Sequence, residues 1–87
     1  MTRPYAIYLR SEVIDSLRHI AGPQRRMIAA YINSLALDPS SEGDYSVRDS
    51  SDRDICIKII GAYAVTFWAD HPVREIKIAD IRNADRA

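Results

Sequence analysis

The stretch from Arg53 to Ile81, RDICIKIIGAYAVTFWADHPVREIKIADI, constrains the fold more than any other part of the chain. It is dense in Ile, Val, Phe, Tyr and Trp, side chains that suit a half-buried pleated surface. Gly61 and the run Asp70-His71-Pro72 interrupt it, and such residues punctuate strands with turns. The pattern predicts three consecutive strands, near 53–60, 63–69 and 73–80.

Upstream the periodicity changes. Pro4 to Leu9 (PYAIYL) reads as a first strand, with Tyr5, Ile7 and Leu9 alternating against Ala6 and Tyr8. Ser11 then fits a helix N-cap, and Glu12 and Asp15 suit the positive end of the helix dipole. Ile14, Leu17 and Ile20 recur at helical spacing, and Gly22 is expected to end this short helix. Pro23 opens a longer one, since its missing N–H costs nothing there. The apolar stripe of that second helix is Met27, Ile28, Tyr31, Ile32 and Leu35. Asp38-Pro39 stops it, because the residue before a proline is pushed out of helical geometry. Asp44 to Asp49 is a further short strand. Strand, helix, helix, then strands predicts an α+β domain: a small antiparallel sheet with an N-terminal helical hairpin packed on one face.

Strand parity assigns the two faces. With Ile55, Ile57 and Ile59 toward the helices, Tyr63, Val65 and Phe67 follow, then Ile76 and Ile78. The opposite face then carries Cys56, Lys58, Ala64, Thr66, Trp68, Glu75, Lys77 and Ala79. This register requires a three-residue loop opposing Ile59 to Tyr63. A two-residue Gly61-Ala62 turn would instead oppose Ile60 to Tyr63. The first is preferred here because it keeps the Lys58 charge off the core face.

At 87 residues the chain suffices for one modest core, and residues 1–87 are read as a single domain. The longest apolar stretches are too short to span a bilayer, the first residues lack the pattern of a signal peptide, and Cys56 is the only cysteine. These features predict a cytoplasmic protein without membrane association, disulfide, metal or cofactor. Lys+Arg and Asp+Glu both number 12, so a nucleic-acid contact would need segregated charge. The N-terminal half is basic and the segment from Asp38 to Asp54 acidic. His71, alone in a turn, and Cys56, without a histidine partner, are read as structural.

A first strand, a helical pair ending in LALDP, the run DRDICIKIIGAYAVTFW and a final VREIKIADIRNADR together resemble the RelE/ParE superfamily of toxins from type II toxin–antitoxin systems. The resemblance spans nearly the whole chain. It implies growth arrest restrained by a cognate antitoxin, which would lay an amphipathic helix, with or without an added strand, across the toxin. The superfamily contains ribosome-dependent mRNA endoribonucleases and DNA gyrase inhibitors. The ribonucleases use lysines and arginines on an open sheet face. By that likeness Lys58 and Arg82 are candidate catalytic groups, and Arg53, Lys77 and Arg86 candidate contacts to nucleic acid or target. Trp68, with Ile60 and Thr66 nearby, is a candidate antitoxin seat, because an exposed tryptophan is a common anchor.

The departures bear on activity. Ala64 stands where the ribonucleases' GxYR pattern has arginine, and no tyrosine or histidine follows His71. RNA cleavage through the 2′-hydroxyl needs a base, an acid and cations for the phosphate. Cations are present, but an ordinary lysine is protonated near neutrality, and no base is evident. Three readings stay open: an mRNA endoribonuclease acting at the ribosome, a non-enzymatic gyrase inhibitor, and an activity-depleted binding module of the same fold. The neutral charge and the absent arginine favour the second.

Overall fold

The structure, a computed structural model, describes residues 3–84. Its elements are β1 (Ala6–Leu9), α1 (Ser11–Arg18), α2 (Gly22–Leu37), β2 (Tyr45–Arg48), β3 (Asp54–Ile60), β4 (Tyr63–Asp70) and β5 (Glu75–Asn83). The five strands form one sheet in the order β1-β5-β4-β3-β2. Three neighbouring pairs are antiparallel, but β1 pairs with β5 in parallel. The expected antiparallel sheet is therefore mixed at one edge. Both helices and three strands intervene between β1 and β5, so no short turn imposes the antiparallel sense.

The helix ends differ in detail from expectation. Ser11 is already helical, Arg10 occupies the N-cap without a side-chain cap bond, and the Arg10 carbonyl accepts from the amides of Val13 and Ile14. Gly22 opens α2 instead of closing α1, and Pro23 follows in its first turn. Asp38 caps the far end, its amide donating to the Ser34 carbonyl, where the Asp38-Pro39 pair predicts the stop.

Val13, Ile20, Ile28, Ile32 and Leu35 from the helices meet Val65, Phe67, Ile76, Ile78 and Ile81 from the sheet in one buried cluster. α1 rests chiefly on β5, and α2 on β1, β3 and β5. Phe67 is 2% exposed and stands edge-on to Tyr31 at 6.0 Å between ring centres. Burying a side chain of this size contributes about 1.5–3 kcal/mol.

The β3–β4 register is the main correction. Ile60 opposes Tyr63, Lys58 opposes Val65 and Cys56 opposes Phe67, so the turn is the two-residue Gly61-Ala62 alternative. Gly61 has φ +58, positive at the first central position as in a type II′ turn. Gln24 of α2 fixes it by accepting from the Ala62 amide at 3.1 Å. Cys56, Lys58 and Ile60 consequently share the helix-facing side, and Ile55, Ile57 and Ile59 face away. A second irregularity lies on β5. The pairing shifts between Thr66 and Phe67, which oppose Asp80 and Ile78 respectively, leaving Ala79 as an extra residue. This bulge lets Ile78 and Ile81 both enter the core, and it returns Asp80 and Arg82 to the opposite face.

Candidate functional site

The side of the sheet away from the helices is left uncovered by α1 and α2. Its rows follow from the pairing register. Tyr45, Ile57, Thr66 and Asp80 form one row across β2, β3, β4 and β5, and Ile59, Ala64 and Arg82 form the next. Trp68, Lys77 and Tyr8 make a third, reaching β1. A shallow concavity of about 380 Å³ lies over Tyr45, Ile57, Ile59, Ala64 and Thr66, with Asp80 and Arg82 at its rim.

The predicted site residues do not all converge there. Trp68, Thr66, Lys77 and Arg82 lie on the bare face. Arg53 joins them, its guanidinium carbon 4.4 Å from the centre of the Trp68 ring. Ile60 does not: it is 7% exposed and belongs to the core. Lys58 is displaced too. It points to the helix side, where α2 covers β3 only partly, and its stem escapes to the rim. There Nζ lies 3.1 Å from the Asp44 carboxylate and 5.6 Å from the Tyr31 ring centre. Lys58 and Arg82 therefore stand on opposite faces of the sheet and do not share one phosphate. Arg86 lies outside the described residues.

Electrostatically the described candidate cations are already matched. Lys77 meets Glu75 at 2.7 Å, and that hydrogen bond raises the lysine's pKa. Arg82 pairs with Asp80, two residues back on the same face. Arg53 donates to Asp49 at 2.8 Å, which also accepts from the Arg53 amide. Asp44 receives the Ile59 amide at 2.7 Å as well as Lys58. Those bonds, the amide's first, hold its carboxyl below the usual carboxylate range. Exposed pairs of this kind are individually weak, but together they leave the bare face with little net charge.

Groups suited to proton transfer are sparse around these cations. The His71 Nδ1 lies 2.7 Å from the Tyr5 hydroxyl, in the turn after β4. Cys56 is buried on the helix side, and burial pushes its thiol pKa up, away from nucleophilic use. Among the described residues no group of three His, Cys, Asp or Glu side chains is placed to hold a metal ion.

Sequence reasoning missed Tyr45, Val47, Ile55, Ile57 and Ile59 as bare-face residues. One signal pointed to them: glycine at the first position of a possible two-residue turn, which reverses the parity of all of β3.

This arrangement defines a class before any relative is considered: a compact α+β protein with one helix-covered and one free sheet face. No family profile and no curated protein sequence matches the chain. Solved structures do. The archaeal RelE–RelB complex from Pyrococcus horikoshii contains a chain that aligns over 97% of this one and 99% of its own, with TM-score 0.82 and 18% identity. The RelBE2 toxin–antitoxin complex from Mycobacterium tuberculosis aligns over 92% and 98%, with TM-score 0.74 and 14% identity. A double arginine-to-alanine mutant of the Escherichia coli toxin RelE, in the free state, aligns over 97% and 87%, with TM-score 0.74 and 11% identity. The chain has the RelE fold.

Proposed function

We propose that this protein is the toxin component of a type II toxin–antitoxin pair, arresting growth until a small antitoxin occupies it. The observation that carries the reading is the uncovered sheet face, with Trp68 and the apolar patch around Ile57 and Ile59 on it, in a fold whose solved counterparts include RelE in complex with RelB. Trp68 and Thr66 belong to the surface an antitoxin would cover.

For the inhibitory step, the chemistry of the face favours binding a protein target, gyrase being the candidate, over cutting RNA. Lys58 and Arg82 act on different sides of the sheet. The other described candidate cations, Lys77 and Arg53, are matched by carboxylates. Ribosome-dependent mRNA cleavage is the second reading. What favours it is Arg82 beside Asp80 on the free face, a cation and a potential base in one place.

The test is induced expression with and without the product of the reading frame adjoining its gene. Expression alone should halt growth, and co-expression should restore it. Normal growth in both cases would remove the toxin reading. Loss of supercoiling by purified gyrase supports the first mechanism; codon-phased cuts mapped by primer extension support the second.

A further inference from the structure

β2 is a sheet edge: β3 lies on one side of it, and no strand among the described residues lies on the other. All of β2, from Tyr45 to Arg48, is exposed. The Asp49 amide donates to the Arg53 carbonyl, which continues the β2–β3 register by one pair. Hydrogen bonding alternates along an antiparallel pair. Val47 therefore bonds to β3, while the amide and carbonyl of Ser46 and of Arg48 point outward. An open edge of this kind is a template for another chain.

We propose that the occupant is a second copy of this chain, its β2 laid antiparallel to the first with Ser46 opposite Ser46 about a two-fold axis. The proposal stands independently of the toxin reading. The outward groups can meet in three ways. Opposing Arg48 to Arg48 sets like charges face to face, which is unfavourable. Opposing Ser46 to Arg48 gives the arginine a serine as its neighbour and sets Asp49 against Tyr45. Opposing Ser46 to Ser46 brings Arg48 of each copy against Asp44 of the other, and Tyr45 against Val47. On the helix side the charges then alternate in sign across the junction. Lys58 and Asp44 of one copy, 3.1 Å apart, are followed by Arg48 and Asp54 of the other, 3.2 Å apart. No existing pair has to break, because a carboxylate accepts, and a guanidinium donates, several hydrogen bonds. On the bare side the row Ile57, Tyr45, Val47, Ile55 carries no charge, and Tyr45 and Val47 are each 52% exposed in the single chain. Aromatic and β-branched side chains make favourable cross-strand pairs. The dimer is one continuous sheet with both uncovered faces on the same side.

The experiment is sedimentation velocity of the full chain from about 10 µM to about 1 mM. A pairing this short lies below the roughly 1,200 Å² of a stable interface, so association should be weak and reversible. The mass should rise from that of one chain toward that of two as concentration increases. Ser46→Pro removes the outward amide at the two-fold axis and spares the β2–β3 bonds. Arg48→Glu sets a like charge against Asp44 of the other copy. Each variant, checked for unchanged circular dichroism, should weaken dimerisation by about tenfold or more. A chain still monomeric at the highest concentration overturns the proposal. So does wild-type self-association in either variant, which would put the contact on another surface or in another register.

Discussion

Phe67 and Thr66 are adjacent on β4 and meet opposite surroundings. Phe67 faces α2 and is 2% exposed. Thr66 faces solvent between Ile57 and Asp80. The same alternation runs through β3 and β5, so one sheet carries a surface that holds the fold and a surface left uncovered. The helix-covered side is uniformly apolar except at its rim, where Lys58 reaches out to Asp44. The bare side mixes an uncharged patch with paired charges. A core must exclude unpaired charge, whereas a face left in water need not.

The contrast is broken most severely at Phe67. Phe67→Ala should cost about 3–5 kcal/mol, a large share of the roughly 5–15 kcal/mol typical of a whole domain. Urea denaturation followed by circular dichroism measures it; a loss under about 1 kcal/mol would deny Phe67 its place in the core. Next in size is the turn that sets which β3 residues face which way. Gly61→Ala should cost about 1–2 kcal/mol from its left-handed backbone alone. A β-carbon there would also lie 2.5 Å from the Gln24 side-chain oxygen. An unchanged urea midpoint would argue for the three-residue loop.

Acid should loosen the β2–β3 margin. Asp44 and Asp49 are both held below the usual range, Asp44 first by the Ile59 amide and Asp49 first by the Arg53 amide. A carboxyl with a lowered folded pKa stabilises the fold fully above its unfolded value, near 3.9, and that contribution disappears as pH falls through the folded value. Stability should be flat near neutrality and decline below about pH 4. Asp44→Asn should weaken that decline, and an identical acid profile would exclude Asp44 as a contributor. Smallest of all, Thr66→Ala should move stability by no more than about 0.5 kcal/mol. A larger shift would show that this side of β4 is covered after all.

Much of this architecture could be read from residue patterns, and the failures have specific causes. Pro23 and Asp38-Pro39 bracket α2 because proline chemistry is local. The β4 and β5 core positions Val65, Phe67, Ile76 and Ile78 follow from alternation alone. The β3 faces are ambiguous in the sequence because every residue from Ile55 to Ile60 except Lys58 is apolar, so periodicity carries no phase and only the lysine argues for one, in the wrong direction. A lysine at a sheet margin keeps its charge in water by extending its stem. The bulge near Thr66 left no sequence mark, and without it Arg82 would have been assigned to the core side. The parallel sense of β1 was equally hidden, since no turn residue encodes a long-range pairing. Carboxylate partners such as Asp80 and Asp44 become visible only once strand register brings them beside their cations.

The placement of β5 between β1 and β4 bears on how the chain emerges from the ribosome. The first strand made has only the last one as its neighbour, and both helices lack much of their apolar floor until Ile76, Ile78 and Ile81 arrive. The ribosome must have passed Ile81 before these pieces can cohere. A fragment stopping at Asp70 would hold a β2–β3–β4 meander with β1 unpaired, and its exposed isoleucines would make it prey to proteases and not a working protein.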